Sequence, residues 1–338
     1  MRAVQVSRLD GPPGVAVAEL EAPRPGPGEV AVEVHAAGVS FPDMLLSKGL
    51  YQNRPGLPFT LGGEIAGIIR EAGPGTGWHP GQRIAAYCGT GGLAEVAVVS
   101  SDAVFALPDA VPCGVGAALS MNTFTVHFAL LRRGRLQPGE NVVVHGAGGA
   151  VGSAAVQVAA AFGGRVLAVA STEEKRRAAL RSGAVAASDV EKFPEAAREF
   201  AGYAGVDIVL DPVGGPRFVD SLRILGPEGR LLVVGFAGGS IPEVRVNRLL
   251  LNNIAVVGVG WGAFSQLRPG YVREQWDELA PLVVAGRIRP SLGDYRDLYD
   301  VQAVLAAIEA RRSVGQTIVA VRRCACSTTG ERNRAPQE

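Results

Sequence analysis

A chain of 338 residues exceeds the roughly 250–300 residues that one hydrophobic core supports, so two domains are expected. Hydrophobic residues make up 47% and charged residues 19%, which excludes a disordered chain. Lys and Arg (33) balance Asp and Glu (32) to a formal charge of +1, leaving no basic footprint for nucleic acid or an anionic membrane.

The first 110 or so residues read as β-rich. Short apolar runs at 4–6, 15–20 and 30–34 alternate with Gly/Pro turns such as Gly11-Pro12-Pro13-Gly14. From Cys113 the period changes to helix, strand, helix, strand, in units of βαβ size. Strands are predicted at Asn141–His145, 165–170, 206–210, 230–234 and 254–259, with helices at 151–162, 172–182, 196–203 and 218–225. Such alternation makes an α/β protein with a doubly wound parallel sheet. After Gly260 come two further helices, 272–285 and 301–310, and a closing strand at 316–321. The expected division is a β-rich domain from 1–112 and 261–322, a dinucleotide-type domain at 113–260, and a disordered tail at 323–338. The four cysteines form no C-x-x-C pair, and no apolar signal core or run of about 18 apolar residues occurs. A cytoplasmic protein without membrane or nucleic-acid partners is expected.

The sharpest motif is Val142-Val143-Val144-His145-Gly146-Ala147-Gly148-Gly149-Ala150-Val151-Gly152. A strand runs into glycines and then into a helix, which is the context a pyrophosphate-binding turn requires. Gly146, Ala147, Gly149, Ala150, Val151 and Gly152 are therefore candidate cofactor contacts. The next strand decides which dinucleotide. An NAD enzyme usually ends it in Asp or Glu, but here Ser171-Thr172 follows, with Lys175 one turn on. A small hydroxyl and a cation suit a 2′-phosphate, so Ser171 and Lys175 point to NADPH. Ser171-x-x-Glu174 reads as a capping box, and Arg176 and Arg177 as a solvated helix face.

These residues, with Gly38-Val39-Ser40-Phe41-Pro42-Asp43, Gly62-Gly63-Glu64-Ile65-Ala66-Gly67, Gly81-Gln82-Arg83-Ile84 and Asp211-Pro212-Val213-Gly214-Gly215, resemble the medium-chain dehydrogenase/reductase superfamily. Within it the chain resembles the zinc-independent quinone oxidoreductase (zeta-crystallin-like) branch, over roughly residues 1–322. The resemblance implies a GroES-like catalytic domain joined to a Rossmann NADPH-binding domain, and a homodimer paired through the last Rossmann strand. It also places Ser40 and Gly63 where metal-bearing relatives hold zinc. Serine and glycine cannot replace thiolate and imidazole, so no zinc or other metal is expected. What remains is hydride delivery to a small electron-poor acceptor, such as a quinone.

The resemblance further implies that Tyr51 is a cleft tyrosine able to bond the acceptor oxygen, and that Ser40 and Phe41 flank the nicotinamide. Asn122, Thr125, Gly235 and Phe236 lie where relatives touch cofactor, and Tyr87 is a second cleft aromatic. Leu45 stands where that branch carries another tyrosine. Asp43 and Glu64 read as structural carboxylates. The histidines lack metal spacing: His35 at a strand end, His79 in a turn, His127 on an apolar helix and His145 at the end of the glycine-turn strand. Two rival functions stay open. One is an NADPH-dependent reductase of α,β-unsaturated carbonyls or enoyl-CoA thioesters, for which Arg132, Arg133 and Arg135 would form a basic mouth. The other is a catalytically quiet NADPH-binding scaffold or redox sensor.

Overall fold

The computed structural model describes residues 1–322; the tail expected at 323–338 lies outside the described residues. The chain opens with β1 (Arg2–Val6), β2 (Val15–Glu19) and the long β3 (Glu29–Val39), then α1 (Phe41–Ser47) and β4 (Phe59–Thr60). Next come β5 (Glu64–Ala72), β6 (Arg83–Tyr87), β7 (Val96–Ser100) and β8 (Val104–Ala106). The short α2 (Cys113–Gly116) leads to α3 (Asn122–His127), which continues as a π-helical turn at Phe128–Arg133.

The periodic part follows as β9 (Asn141–His145), α4 (Ala150–Ala161), β10 (Arg165–Val169), α5 (Glu173–Arg181), β11 (Ala186–Ser188), α6 (Phe193–Ala201), β12 (Val206–Asp211), α7 (Arg217–Ile224), β13 (Leu225–Val233), α8 (Asn247–Asn252) and β14 (Ala255–Gly258). The chain then adds α9 (Trp261–Gln266), α10 (Tyr271–Val284), β15 (Leu292–Arg296), α11 (Val301–Glu309) and β16 (Gln316–Ala320).

The six strands β9 to β14 form one parallel sheet in the order β11-β10-β9-β12-β13-β14. Counted from β9 this is the 3-2-1-4-5-6 order of a dinucleotide-binding sheet, with its switch point between β9 and β12. Alternation along β9 explains why it is covered on both faces. Val142 and Val144 enter one core cluster, whereas Val143 enters another with Phe193, Phe218 and Leu222 from the opposite helices.

The other large sheet runs β15-β16-β3-β5-β6-β8, with β7 also on β3. Two register shifts against β5 bend β3, so it serves β5, β7 and β16 along its length. Inside lie Val30, Val32, Val34, Ile65, Ile69 and Ile84, closed by Val301 and Leu305 of α11. The two lobes share a core rather than a linker. Ala66 and Phe105 from the first lobe join Phe124, Leu130, Ala155 and Trp276 in one buried cluster.

Most expected elements appear, with revised limits. The strand expected at 30–34 extends to Val39, so His35 lies inside β3 rather than at a strand end. The run Ala36-Ala37-Gly38 does not alternate, because its small residues are buried on both faces. The strand expected at 230–234 starts at Leu225. Two short helices, α8 and α9, and strands β11 and β15 were not expected.

Candidate functional site

The glycine turn stands at the carboxyl end of β9, at the switch point of the sheet. Gly146 has φ 61°, which a side chain would strain, and turns the chain out of the strand. Gly149 precedes α4, and its N–H donates to the Gly146 carbonyl at 2.9 Å. A Cβ on Gly152 would collide with that same carbonyl, so only glycine lets the helix sit this close to the turn. Ala147 is buried, and Ala150 and Val151 are half-buried in the first turn of α4. That turn offers backbone N–H groups without helical acceptors, at the positive end of the helix dipole.

Lys175 lies across this turn. A Cβ on Gly148 would meet the Lys175 Cβ and Cγ at 2.5 Å and its Cδ at 2.8 Å. The aliphatic stem therefore covers the loop, while the ammonium makes no ion pair among the described residues. Its neighbours differ. Arg176 and Arg177 both bind Glu173, and Arg176 also donates to the Ala170 carbonyl. The capping residue of α5 is Thr172, whose hydroxyl accepts from the Lys175 N–H at 3.3 Å. This corrects the Ser171–Glu174 capping box: Ser171 is left exposed at the end of β10.

Two further turns close the floor. Asp211 accepts from the N–H groups of Val213 and Gly214 at 2.8 and 2.9 Å, fixing the chain beyond β12. Val213 Cγ2 is 3.1 Å from where a Gly146 Cβ would lie. Gly235 and Phe236 follow β13, and the Phe236 ring packs over Gly214. Beneath the floor His145 is 2.8 Å from the Ser221 hydroxyl, and burial pushes its imidazole down to about 4. Buried and bonded, it is a structural group.

The first lobe supplies the facing wall. Ser40 ends β3, and both its N–H and its hydroxyl donate to Asp43 Oδ2 at 2.8 Å. Asp43 Oδ1 accepts from the Gly62 N–H at 3.1 Å, so one buried carboxylate ties α1 to the Gly62-Gly63 turn. Burial raises the Asp43 pKa despite these bonds. Phe41 and Tyr51 pack half-buried on the core of this lobe. Burial, with the nearby Asp43 charge, raises the Tyr51 phenol, and Tyr87 is pushed up strongly by burial and by Tyr51. Both stay protonated at neutral pH. Tyr87 also stands edge-on to Trp261 at 5.0 Å.

Met121 fills the space where a metal would be held. Its Sδ is 3.4 Å from Ser40 Oγ, and its Cε is 2.7 Å from where a Gly63 Cβ would project. A hydroxyl, a missing side chain and a thioether make a poor donor set for zinc. The residues do not fit that metal. Of the three arginines considered for a basic mouth, Arg132 stacks on Phe264 at 4.8 Å and Arg133 donates to the Gly258 carbonyl, and all three, with Arg135, are exposed.

The structure thus gathers Ser40, Tyr51, Tyr87, Gly63 and Met121 in one cluster and Lys175 with the glycine turn in another. Thr125 sits half-buried on α3, four residues after Met121. Asn122 is buried on the same helix and donates to Gln316 Oε1 at 2.6 Å. Met121, Gln316 and Trp261 were not among the expected site residues. Only Met121 left a sequence signal, as the neighbour of Asn122.

Models of two families match the chain: an alcohol dehydrogenase GroES-like domain over residues 26–109 and a zinc-binding dehydrogenase over 150–284. Quinone oxidoreductase-like protein 2 of Bos taurus is 36% identical over 311 residues, covering 90% of this chain and 89% of that protein. A probable oxidoreductase from Mycobacterium abscessus superposes with a TM-score of 0.87 at 38% identity, over 95% of this chain and 99% of that one. The quinone oxidoreductase of Thermus thermophilus, also solved in complex with NADPH, gives 0.83 at 35%, over 95% and 100%. Sequence, fold and cleft agree: the chain belongs to the zeta-crystallin-like quinone oxidoreductase branch of the medium-chain dehydrogenase/reductase superfamily.

Proposed function

We propose that this protein is an NADPH-dependent oxidoreductase that reduces quinones without zinc. The observation that carries the reading is one wall of the site: Ser40 and Gly63 stand at the positions where metal-bearing relatives hold zinc, and Met121 packs between them beside two phenols held protonated. The Thermus thermophilus relative and its NADPH complex support the cofactor, and the Lys175 ammonium, without an ion pair among the described residues, lies over the glycine turn where it suits a 2′-phosphate.

When bound, the reduced nicotinamide supplies a hydride. The chain's residues do the rest. Gly146, Ala147, Gly149, Ala150, Val151 and Gly152 receive the pyrophosphate at the positive end of α4, and Ser171 and Lys175 hold the adenosine end. Phe41, Asn122, Thr125, Gly235 and Phe236 bound the slot for the nicotinamide. Tyr51 donates a hydrogen bond to the acceptor oxygen, stabilising the charge that develops there, and Ser40 fixes the ring's edge. A quinone needs no Lewis acid for this step, because its reduced anion is already stable.

The working division is 1–112 with 261–322 as the catalytic domain and 113–260 as the NADPH domain. β14 is one of the two edge strands of the parallel sheet, and Ile241, Val246, Leu250 and Leu251 nearby are all exposed. An open edge beside apolar side chains favours a homodimer. No helix among the described residues is long and apolar enough to cross a membrane, in keeping with a cytoplasmic enzyme.

The test is NADPH oxidation by chelator-treated protein with a naphthoquinone and a 2-alkenal side by side. Faster quinone turnover is expected. Turnover with the alkenal alone would move the reaction to double-bond reduction, and loss of activity on chelation would overturn the metal-free reading.

A further inference from the structure

Glu64 opens β5 and is fully buried, yet it takes no part in the chemistry proposed above. Its Oε2 accepts from the Met121 N–H at 2.9 Å and from the Ser120 hydroxyl at 3.2 Å. Its Oε1 accepts from Nε2 of Gln316. Gln316, itself buried at the start of β16, accepts in turn from Asn122 Nδ2 through its own Oε1. The three residues come from β5, β16 and α3, and they lie 252 and 194 residues apart along the chain. The contact is built rather than incidental. A Cβ on Gly38 would lie 2.6 Å from the Ala117 carbonyl and 2.8 Å from Glu64 Cγ, and would overlap Gln316 Nε2.

The chain of bonds has a fixed polarity. An ionised carboxylate only accepts, so Gln316 must turn its NH2 to Glu64 and its carbonyl to Asn122. Asn122 must then donate inward. Flipping any one amide would set two donors or two acceptors against each other. The chain also reaches the cofactor lobe. Gly315, next to Gln316, is bridged to Gly149 of the glycine turn. Asn122 and Gln316 share a narrow crevice with Ala150 and Ser153 of α4.

We propose that Glu64 is a positioning residue: through Gln316 and Asn122 it latches the last strand of the catalytic lobe to α3 and to the glycine turn, setting the slot in which NADPH binds. The proposal rests on the NADPH reading of that slot. The groups facing Glu64 are Asp43 of α1, Tyr87 and Cys88 at the end of β6, Ser120 and Met121 ahead of α3, and Gln316. Burial raises its carboxyl to about 7, while Tyr87 and Cys88 are pushed too high to titrate near neutrality. Protonating Glu64 exchanges a charge-assisted bond for a weaker neutral one, so the latch loosens as pH falls through about 7.

The test uses the full chain with NADPH and a naphthoquinone. Gln316→Met cuts the chain at nearly constant volume, and Glu64→Gln removes the charge while keeping the shape. Each is expected to raise KM for NADPH about tenfold, to leave kcat within about twofold and to leave KM for the quinone unchanged, since roughly one charge-assisted hydrogen bond is lost. Wild-type KM for NADPH should rise as pH falls through 7, and the Glu64→Gln profile should lie flat relative to it. Amide hydrogen exchange at residues 146–152 should quicken in both variants. KM for NADPH within twofold of wild type in both, or unchanged exchange at 146–152, would overturn the latch. A loss confined to kcat would do the same. Were wild type to oxidise no NADPH with quinones, the functional reading would fall by itself, and the exchange measurement would still decide the latch.

Discussion

Lys175 owes its place to two neighbours rather than to its own charge. Glu173 takes up Arg176 and Arg177, and the missing side chain at Gly148 makes room for the lysine stem. A charge-assisted hydrogen bond contributes roughly 1.5–3 kcal/mol, so Lys175→Ala should weaken NADPH by about tenfold to a hundredfold and leave NADH nearly unaffected. Steady-state KM values for the two cofactors would check it. Tyr51→Phe removes one donor from the acceptor oxygen while leaving the ring in place, and kcat should fall about tenfold with KM for NADPH unchanged. Lys175, Tyr51 and Ser40 could be proposed from sequence because each sits within a local motif. Gln316 and Met121 were not, because their partners lie across the fold and no spacing announces them. The Ser171 cap was misread for a simpler reason: Ser171 and Thr172 both suit an N-cap, and only the backbone chooses between them.

At the scale of elements, the turn between β9 and α4 depends on close packing at Gly152. Gly152→Ala would force its methyl into the Gly146 carbonyl, so the turn must open and the first-turn amides must swing away. The variant should lose measurable NADPH binding by fluorescence titration, and it should melt at a lower temperature because the displaced turn caps the central strand. Much of the alternation of strand and helix from Asn141 onward was readable from period, since β9, β10, β12 and β14 carry Val-rich apolar runs and the longer helices repeat near 3.6 residues. The short elements were not. Six residues of α9 hold fewer than two turns, too few to show a period. In β15, Gly293 and Asp294 interrupt any alternation, and its last three residues are exposed. β3 was half-read, because its second half is packed by small residues that carry little hydrophobic signal.

Two buried groups shape the stability of the whole molecule in opposite senses. Glu64 is raised from 4.5 to about 7, so the folded state holds that proton more tightly and stability falls as pH rises through the window. His145 is lowered from 6.5 to about 4, so the unfolded state holds its proton more tightly and stability falls as pH drops from 6.5 towards 4. Each is worth at most about 3 kcal/mol, and the windows overlap, so the wild-type melting temperature should change little between pH 5 and 6.5. Glu64→Gln removes one of the two. That variant should melt a few degrees higher than wild type at pH 8, followed by circular dichroism, and lose stability more steeply in acid. The position that tightens cofactor binding would then be the one that limits alkaline stability. Association belongs to this scale too. A charge introduced by Leu251→Lys, on an exposed side chain near the β14 edge, should shift a dimer to monomer by light scattering, with the fold intact.

β16 carries a consequence for how the polypeptide is made. It pairs with β3 between Thr317–Val39 and Ala320–Ala36, so the two partners are separated by almost the whole chain. A ribosome releases β3 early and β16 late. In the interval the six strands of the parallel sheet, which are contiguous from 141 to 258, are all available to one another, whereas the Ala36–Val39 end of one β3 edge, beyond the part that β7 covers, stays without its neighbour. The lobe translated first is therefore the lobe completed last. Until then its longest strand presents unpaired backbone to the surroundings, the condition under which nascent chains aggregate or recruit chaperones.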